Sequence, residues 1–189
     1  MYKIQIINFI EGSIMGTYNV VKFGNSALRE KSKVVDVVDD DIRKLTEDML
    51  ITMHEADGVG LATEQIGRNE ALCIIDVPKE YACDVEMPLV LINPEILEAD
   101  GELYEQEGCL SFPNIYIKLH RSKNVTASYT DLAGNRQTIK ATGLLSRAIQ
   151  HELDHLNGIL LVDHMSPVQK VANAGKLKRM KRAAKQLRM

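Results

Sequence analysis

The sequence predicts an α+β fold in a single domain, and three observations carry that prediction. Segments of strand length and strand composition fall at 72–77, 89–92 and 102–106, and those at 125–130 and 136–142 read as a hairpin joined through Asp131-Leu132-Ala133-Gly134-Asn135. Leu144, Leu145, Ala148, Ile149, Leu153 and Leu156 recur at three- and four-residue spacings, which marks an amphipathic helix. No internal repeat and no linker long enough to divide the chain is present.

The elements follow in order. A short strand-like start precedes Asp39-Asp40-Asp41, which caps a helix over about 42–56 through side-chain acceptors and favourable charge at the helix N-terminus. A turn at Asp57-Gly58 leads into the strands. After the hairpin comes the helix around 144–156, with Gly158 placed for a left-handed C-terminal cap. A final helix is expected from about Ser166. The organisation is therefore an extension at 1–14, a domain at 15–165 and a basic helix at 166–189.

Composition narrows the function classes. A chain of 189 residues can bury a substantial core. Three cysteines without framework spacing suggest a reducing compartment, so a cytoplasmic location is expected. No apolar run approaches membrane-spanning length, and the run at 4–10 is short, flanked by Glu11 and lacks a cleavage site, so no membrane role is expected.

The most informative stretch is His151-Glu152-Leu153-Asp154-His155. Residues four apart share one helix face, so both imidazoles can meet one metal ion, with Glu152 in reach of a water on that ion. Two ligands do not complete a catalytic site, which takes three protein ligands and leaves one position open. His54 falls on an amphipathic helix, His120 beside Arg121 in a charged stretch, and His164 shortly after the metal helix. Cys73 sits in the apolar run Ala71-Leu72-Cys73-Ile74-Ile75 as a core thiol, and Cys83 lies in a charged loop. Cys109, in Glu107-Gly108-Cys109-Leu110-Ser111, has small neighbours that permit close approach, and chemistry favours it over the others.

Three stretches together resemble the peptide deformylase family, which carries Gly-x-Gly-Leu-Ala-Ala-x-Gln, Glu-Gly-Cys-Leu-Ser and His-Glu-x-Asp-His in that order. Here they read Gly58-Val59-Gly60-Leu61-Ala62-Thr63-Glu64-Gln65, Glu107-Gly108-Cys109-Leu110-Ser111 and His151 to His155. The likeness runs from about Tyr18 to about Lys170 and includes Leu91-Ile92-Asn93-Pro94. It implies antiparallel sheets around a central helix that bears the metal motif, and a start near Met15. The implied reaction removes the formyl group from the N-terminal formylmethionine of nascent polypeptides and releases formate. Cys109, His151 and His155 would hold one divalent metal, natively Fe(II), with Zn(II), Ni(II) or Co(II) able to substitute. Glu152 would act as general base on a water in the open position and then pass the proton to the leaving amine. Gln65 and the backbone N–H of Leu110 would donate to the developing oxyanion. Val59, Gly60, Leu144 and Ala148 would bind the substrate. One departure stands in the first motif: Thr63 replaces an alanine, and its hydroxyl and methyl are expected to narrow the site or alter the setting of Gln65.

Charge is unevenly distributed. Eight of the 23 lysines and arginines fall at 166–189 with no acidic residue, leaving fifteen against all 26 acidic residues elsewhere. Such asymmetry points to an anionic partner, and the resemblance makes ribosomal RNA the expected one. The bland counterpart is a solvated helix that packs Val168, Val171 and Leu177 on the body. Two rival functions remain: a general metallopeptidase, which more often recruits a third His or a carboxylate than a cysteine, and an idle relative that only binds nascent chains or ribosomes.

Overall fold

Helix α1 (Asp40–Glu55) opens in the computed structural model, which describes residues 16–186, where the aspartate run predicts. The Asp39 carboxylate accepts the Ile42 N–H at 2.9 Å, and Asp40 and Asp41 face the positive end of the helix dipole. The extension expected at 1–14 lies outside the described residues.

Seven strands follow: β1 (Gly60–Ala62), β2 (Leu72–Ile75), β3 (Leu89–Asp100), β4 (Leu103–Gly108), β5 (Tyr116–Arg121), β6 (Asn124–Thr130) and β7 (Arg136–Thr142). Five form one antiparallel sheet in the order β1-β2-β3-β6-β7, and β4 pairs with β5 in a separate ribbon. The β6–β7 hairpin closes as expected, with Asp131 accepting the N–H groups of Ala133 and Asn135, each at 2.9 Å.

Helix α2 (Gly143–Leu156) packs Leu145, Ala148, Ile149 and Leu153 on the sheet face formed by Ile75, Leu91, Val125, Ala127 and Ile139. Helix α1 covers the opposite face through Leu45, Met49 and Met53 against Leu61, Leu72 and Ile74. The run Leu72-Cys73-Ile74-Ile75 is apolar throughout because alternate side chains meet α2 and α1. The ribbon closes the far side with Ile117 and Leu119 packed against Phe112, Leu160 and Leu161. The architecture is α+β, with antiparallel sheets around α2.

Helix α2 ends in a Schellman turn: the Gly158 N–H reaches the His155 carbonyl at 2.9 Å and the Ile159 N–H that of Asp154 at 2.8 Å. Gly158 has φ +69°, and a Cβ there would lie 2.8 Å from the Arg29 carbonyl oxygen, so glycine is required twice over.

Four elements differ from expectation. The strand-like start is irregular backbone, bonded through Val21 to the short 3₁₀ turn at Gln65 and through Phe23 to Ser111 rather than to a sheet. Strand β3 runs on to Asp100 across a register shift between Ile92 and Glu95. Pro94 supplies no N–H there, and Asn93, at φ +48°, bonds the Val35 backbone on both sides. Strands β1 and β5 are additional, and β5 buries Ile117, Leu119 and Arg121 while Tyr116, Lys118 and His120 point outward.

Helix α3 (Pro167–Gln186) starts at a capping box in which Ser166 Oγ accepts the Gln169 N–H and Gln169 Oε1 accepts the Ser166 N–H. Leu177 and Met180 pack on the body, whereas Val168 and Val171 are 77% and 79% exposed. Among the described residues no helix is long and apolar enough to cross a membrane.

Candidate metal centre

Strand β4 delivers Cys109 and helix α2 delivers the two histidines. Gly108, the last residue of β4, lies under the Tyr116 ring of β5, where a Cβ would come within 2.7 Å, so the close cross-strand contact beside Cys109 needs glycine. One helical turn separates His151 from His155 and stacks their rings edge to face at 5.1 Å. One ligand atom from each of Cys109, His151 and His155 lies within 4.8 Å of the others, and His155 Nε2 is 3.2 Å from the Cys109 sulfur.

The His151 ring is fixed from behind by Glu107, whose Oε2 lies 3.1 Å from Nδ1 and leaves Nε2 for the site. Arg121 donates to both Glu107 oxygens at 3.0 and 3.1 Å and to Asp154 at 2.6 Å. Burial opposes the charge on Glu107, but hydrogen bonds from His151 and Arg121 prevail and bring its carboxyl down to about 2. Asp154 also meets His164 Nε2 at 2.7 Å. His164 thus joins the support of the centre and is not one of the converging donors. The remaining histidines pair elsewhere: His54 with Asp76 at 2.7 Å, and His120 with Glu102. Cys73 is fully buried, and burial pushes its thiol well up, as an inert core position requires.

Glu152 lies beside the three donors, 3% exposed, with Oε2 buried and unpartnered among the described residues. Burial pushes its carboxyl up to about 7. Gly60 faces this carboxylate so closely that a Cβ would collide with Oε1. Its missing side chain is thus needed by Glu152. A thiol, two imidazoles and an unsatisfied carboxylate together fit a divalent ion with a water ligand.

Gln65 projects from a short turn of 3₁₀ helix after β1. Its Oε1 accepts the Ala62 N–H at 2.9 Å, which aims Nε2 toward the Cys109 sulfur and Ser111 Oγ, both at 3.5 Å. Leu110 presses against Gly58, where a Cβ would come within 2.7 Å of Cδ1. Val59, Gly60, Gln65, Cys109, Leu110, Leu144, Ala148, His151 and Glu152 all line one cleft of about 730 Å³, and His155 lies beneath it. Thr63 does not line the cleft: its hydroxyl donates to the Glu70 carbonyl at 2.5 Å, so the expected narrowing does not arise.

Sequence reasoning missed Glu107, Arg121 and Asp154 as a group, together with Lys22 and Arg147 on the cleft wall. Glu107 and Asp154 sit inside the two motifs, and the i, i+2 alternation of Ile117, Leu119 and Arg121 was a legible sign that Arg121 points inward.

The chain matches the polypeptide deformylase family over residues 17–171. It is 41% identical over 169 residues to the peptide deformylase of Endomicrobium trichonymphae, covering 89% of this chain and 98% of that one. The crystal structure of a peptide deformylase from Legionella pneumophila superposes with a TM-score of 0.80 at 37% identity, covering 92% of this chain and 99% of the other. That of the Synechococcus elongatus enzyme in complex with actinonin gives 0.77 at 39% identity, covering 87% and 95%. Sequence, fold and the three motifs agree, and the chain belongs to the polypeptide deformylase family.

Proposed function

We propose that this protein hydrolyses the formamide at the N-terminal formylmethionine of nascent polypeptides, releasing formate and a free amine. The observation that carries the reading is the convergence of Cys109, His151 and His155 beside the buried Glu152 carboxylate, in a cleft that Gln65 also lines. Cys109, His151 and His155 would hold the divalent ion, which when bound acidifies a water and polarises the formyl oxygen. The mixed thiolate and imidazole donors suit Fe(II), Zn(II), Ni(II) and Co(II) alike, and the family resemblance, not the donor set, makes Fe(II) our choice for the native ion.

Glu152 takes a proton from the attacking water at its free Oε2 and returns it to the leaving nitrogen. Gln65 Nε2 and the Leu110 N–H donate to the oxygen that gains charge. Val59 and Gly60 on one wall, with Leu144 and Ala148 on the other, receive the methionyl residue. Glu107 holds His151 in one tautomer, and Arg121 keeps Glu107 ionised.

We also assign 15–165 as the catalytic domain, 166–189 as a basic arm for ribosomal RNA, and the cytoplasm as the location, on the sparse cysteines and the uneven charge.

The test is formate release from a formyl-methionyl peptide by anaerobically prepared, Fe(II)-loaded protein. A peptide with a blocked but unformylated terminus runs in parallel. Formate from the first and no cleavage of the second supports the deformylase reading. Internal cleavage of the second peptide would instead establish a metallopeptidase, and inactivity toward both by metal-loaded protein would favour an idle binding protein.

A further inference from the structure

The irregular segment before the first helix reaches both oxyanion donors. The Val21 N–H donates to the Gln65 carbonyl at 2.8 Å, and the Phe23 N–H donates to the Ser111 carbonyl at 3.0 Å. Between them, the Lys22 side chain lines the cleft, and its Nζ donates to the Leu110 carbonyl at 2.9 Å, across 88 positions of sequence. Three consecutive residues therefore hold the backbone at Gln65, Leu110 and Ser111. The segment is itself anchored, because the Phe23 ring stacks on Phe112 at 4.9 Å and the Lys181 ammonium lies over the same ring, 5.1 Å from its centroid.

We propose that Lys22 is a positioning residue for deformylation: its ammonium fixes the Leu110–Ser111 peptide and, through the Leu110 backbone, the aim of the Leu110 N–H. This rests on the function proposed above. The rotations about Leu110 join the peptide bearing its N–H to the peptide bearing its carbonyl, so a carbonyl pinned by a charged donor limits how far the N–H can turn. Without the ammonium, that carbonyl can turn to water, and the loop after Cys109 gains freedom. Lys22 supplies a cationic donor to the cleft wall on a flexible four-carbon stem.

The experiment compares wild type, Lys22→Met and Lys22→Arg on a neutral formyl-methionyl peptide, each loaded with Co(II) and followed by the cobalt–thiolate absorption band and by thermal melting. Loss of a whole oxyanion donor costs about 10²–10³ in kcat, so a misaimed donor should cost less, about tenfold. Lys22→Met is expected to lose about tenfold in kcat with KM within about twofold, and Lys22→Arg to recover most of it. The absorption band and melting temperature should stay as in wild type. Unchanged kcat in Lys22→Met overturns the inference, as does a change confined to KM, which would mean that Lys22 only binds substrate. A lost cobalt band would mean that Lys22 supports the metal site instead. Wild type that releases no formate overturns the functional reading and this inference with it, whereas an active wild type matched by Lys22→Met overturns this inference alone.

Discussion

Thr63 illustrates how burial can reverse the meaning of a substitution at residue scale. Its hydroxyl is spent on the Glu70 carbonyl and its side chain faces away from the cleft. Thr63→Ala should therefore leave kcat and KM within about twofold while lowering stability by about 1–2 kcal/mol, read from formate kinetics and chemical denaturation of the same preparation. Its neighbour Glu64 is fully buried and in contact with Ser32, and burial pushes its carboxyl up to about 7. The folded state then holds this proton more tightly than the unfolded chain does. The resulting stabilisation is complete below the ordinary value of 4.5 and is lost as pH rises through about 7. Melting curves at about pH 6 and about pH 8.5 should show a smaller alkaline loss in Glu64→Gln than in wild type. An equal loss would mean that Glu64 does not titrate in this range. His151 and His155 were legible as a pair because helical spacing puts them on one face, whereas Cys109 was singled out by its small neighbours and the family motif. Lys22 was not, because its contact is made in space across an irregular segment with no periodicity to reveal it.

Among the elements, α2 and the β4–β5 ribbon make one unit through Arg121. The guanidinium is nearly fully buried and joins Glu107 of β4 to Asp154 of α2. Removing one partner of such a network leaves buried charge uncompensated, which costs about 3–5 kcal/mol. Arg121→Met should lose that much stability and bind metal about 10- to 100-fold more weakly, as chelator competition would measure. Metal affinity equal to wild type would show that Glu107 holds His151 without help. The sequence made α1, α2 and the β6–β7 hairpin legible because each carries its own periodicity or turn chemistry. It left β1 obscure because a strand of three residues has almost no pattern of its own. Strand β5 does alternate, and that alternation places Arg121 on the inward face with Ile117 and Leu119, but its His120-Arg121 end reads as a charged stretch unless the period is followed. Strand β3 outran its apolar start because pairing with β6, not local composition, sets its length.

For the whole molecule, the separation of charge is the feature that fold alone does not require. Helix α3 is anchored through Leu177, Met180 and Ala184, yet presents most of its cations outward. Deleting 175–189 should weaken ribosome co-sedimentation in a salt-dependent manner, with the deficit greatest at low ionic strength. Co-sedimentation that does not change would leave α3 as a solvated packing helix. The two-sided core places α2 between the sheet and the ribbon, and that placement buries Glu152 against Gly60 while leaving the cleft open. The central claim is that this carboxylate moves the proton in formyl hydrolysis. It is tested most directly by measuring formate release and bound metal together in wild type and Glu152→Ala. The expected result is metal retained in both and turnover reduced by about 10²–10⁴ in the variant. Near-full turnover in Glu152→Ala would contradict it.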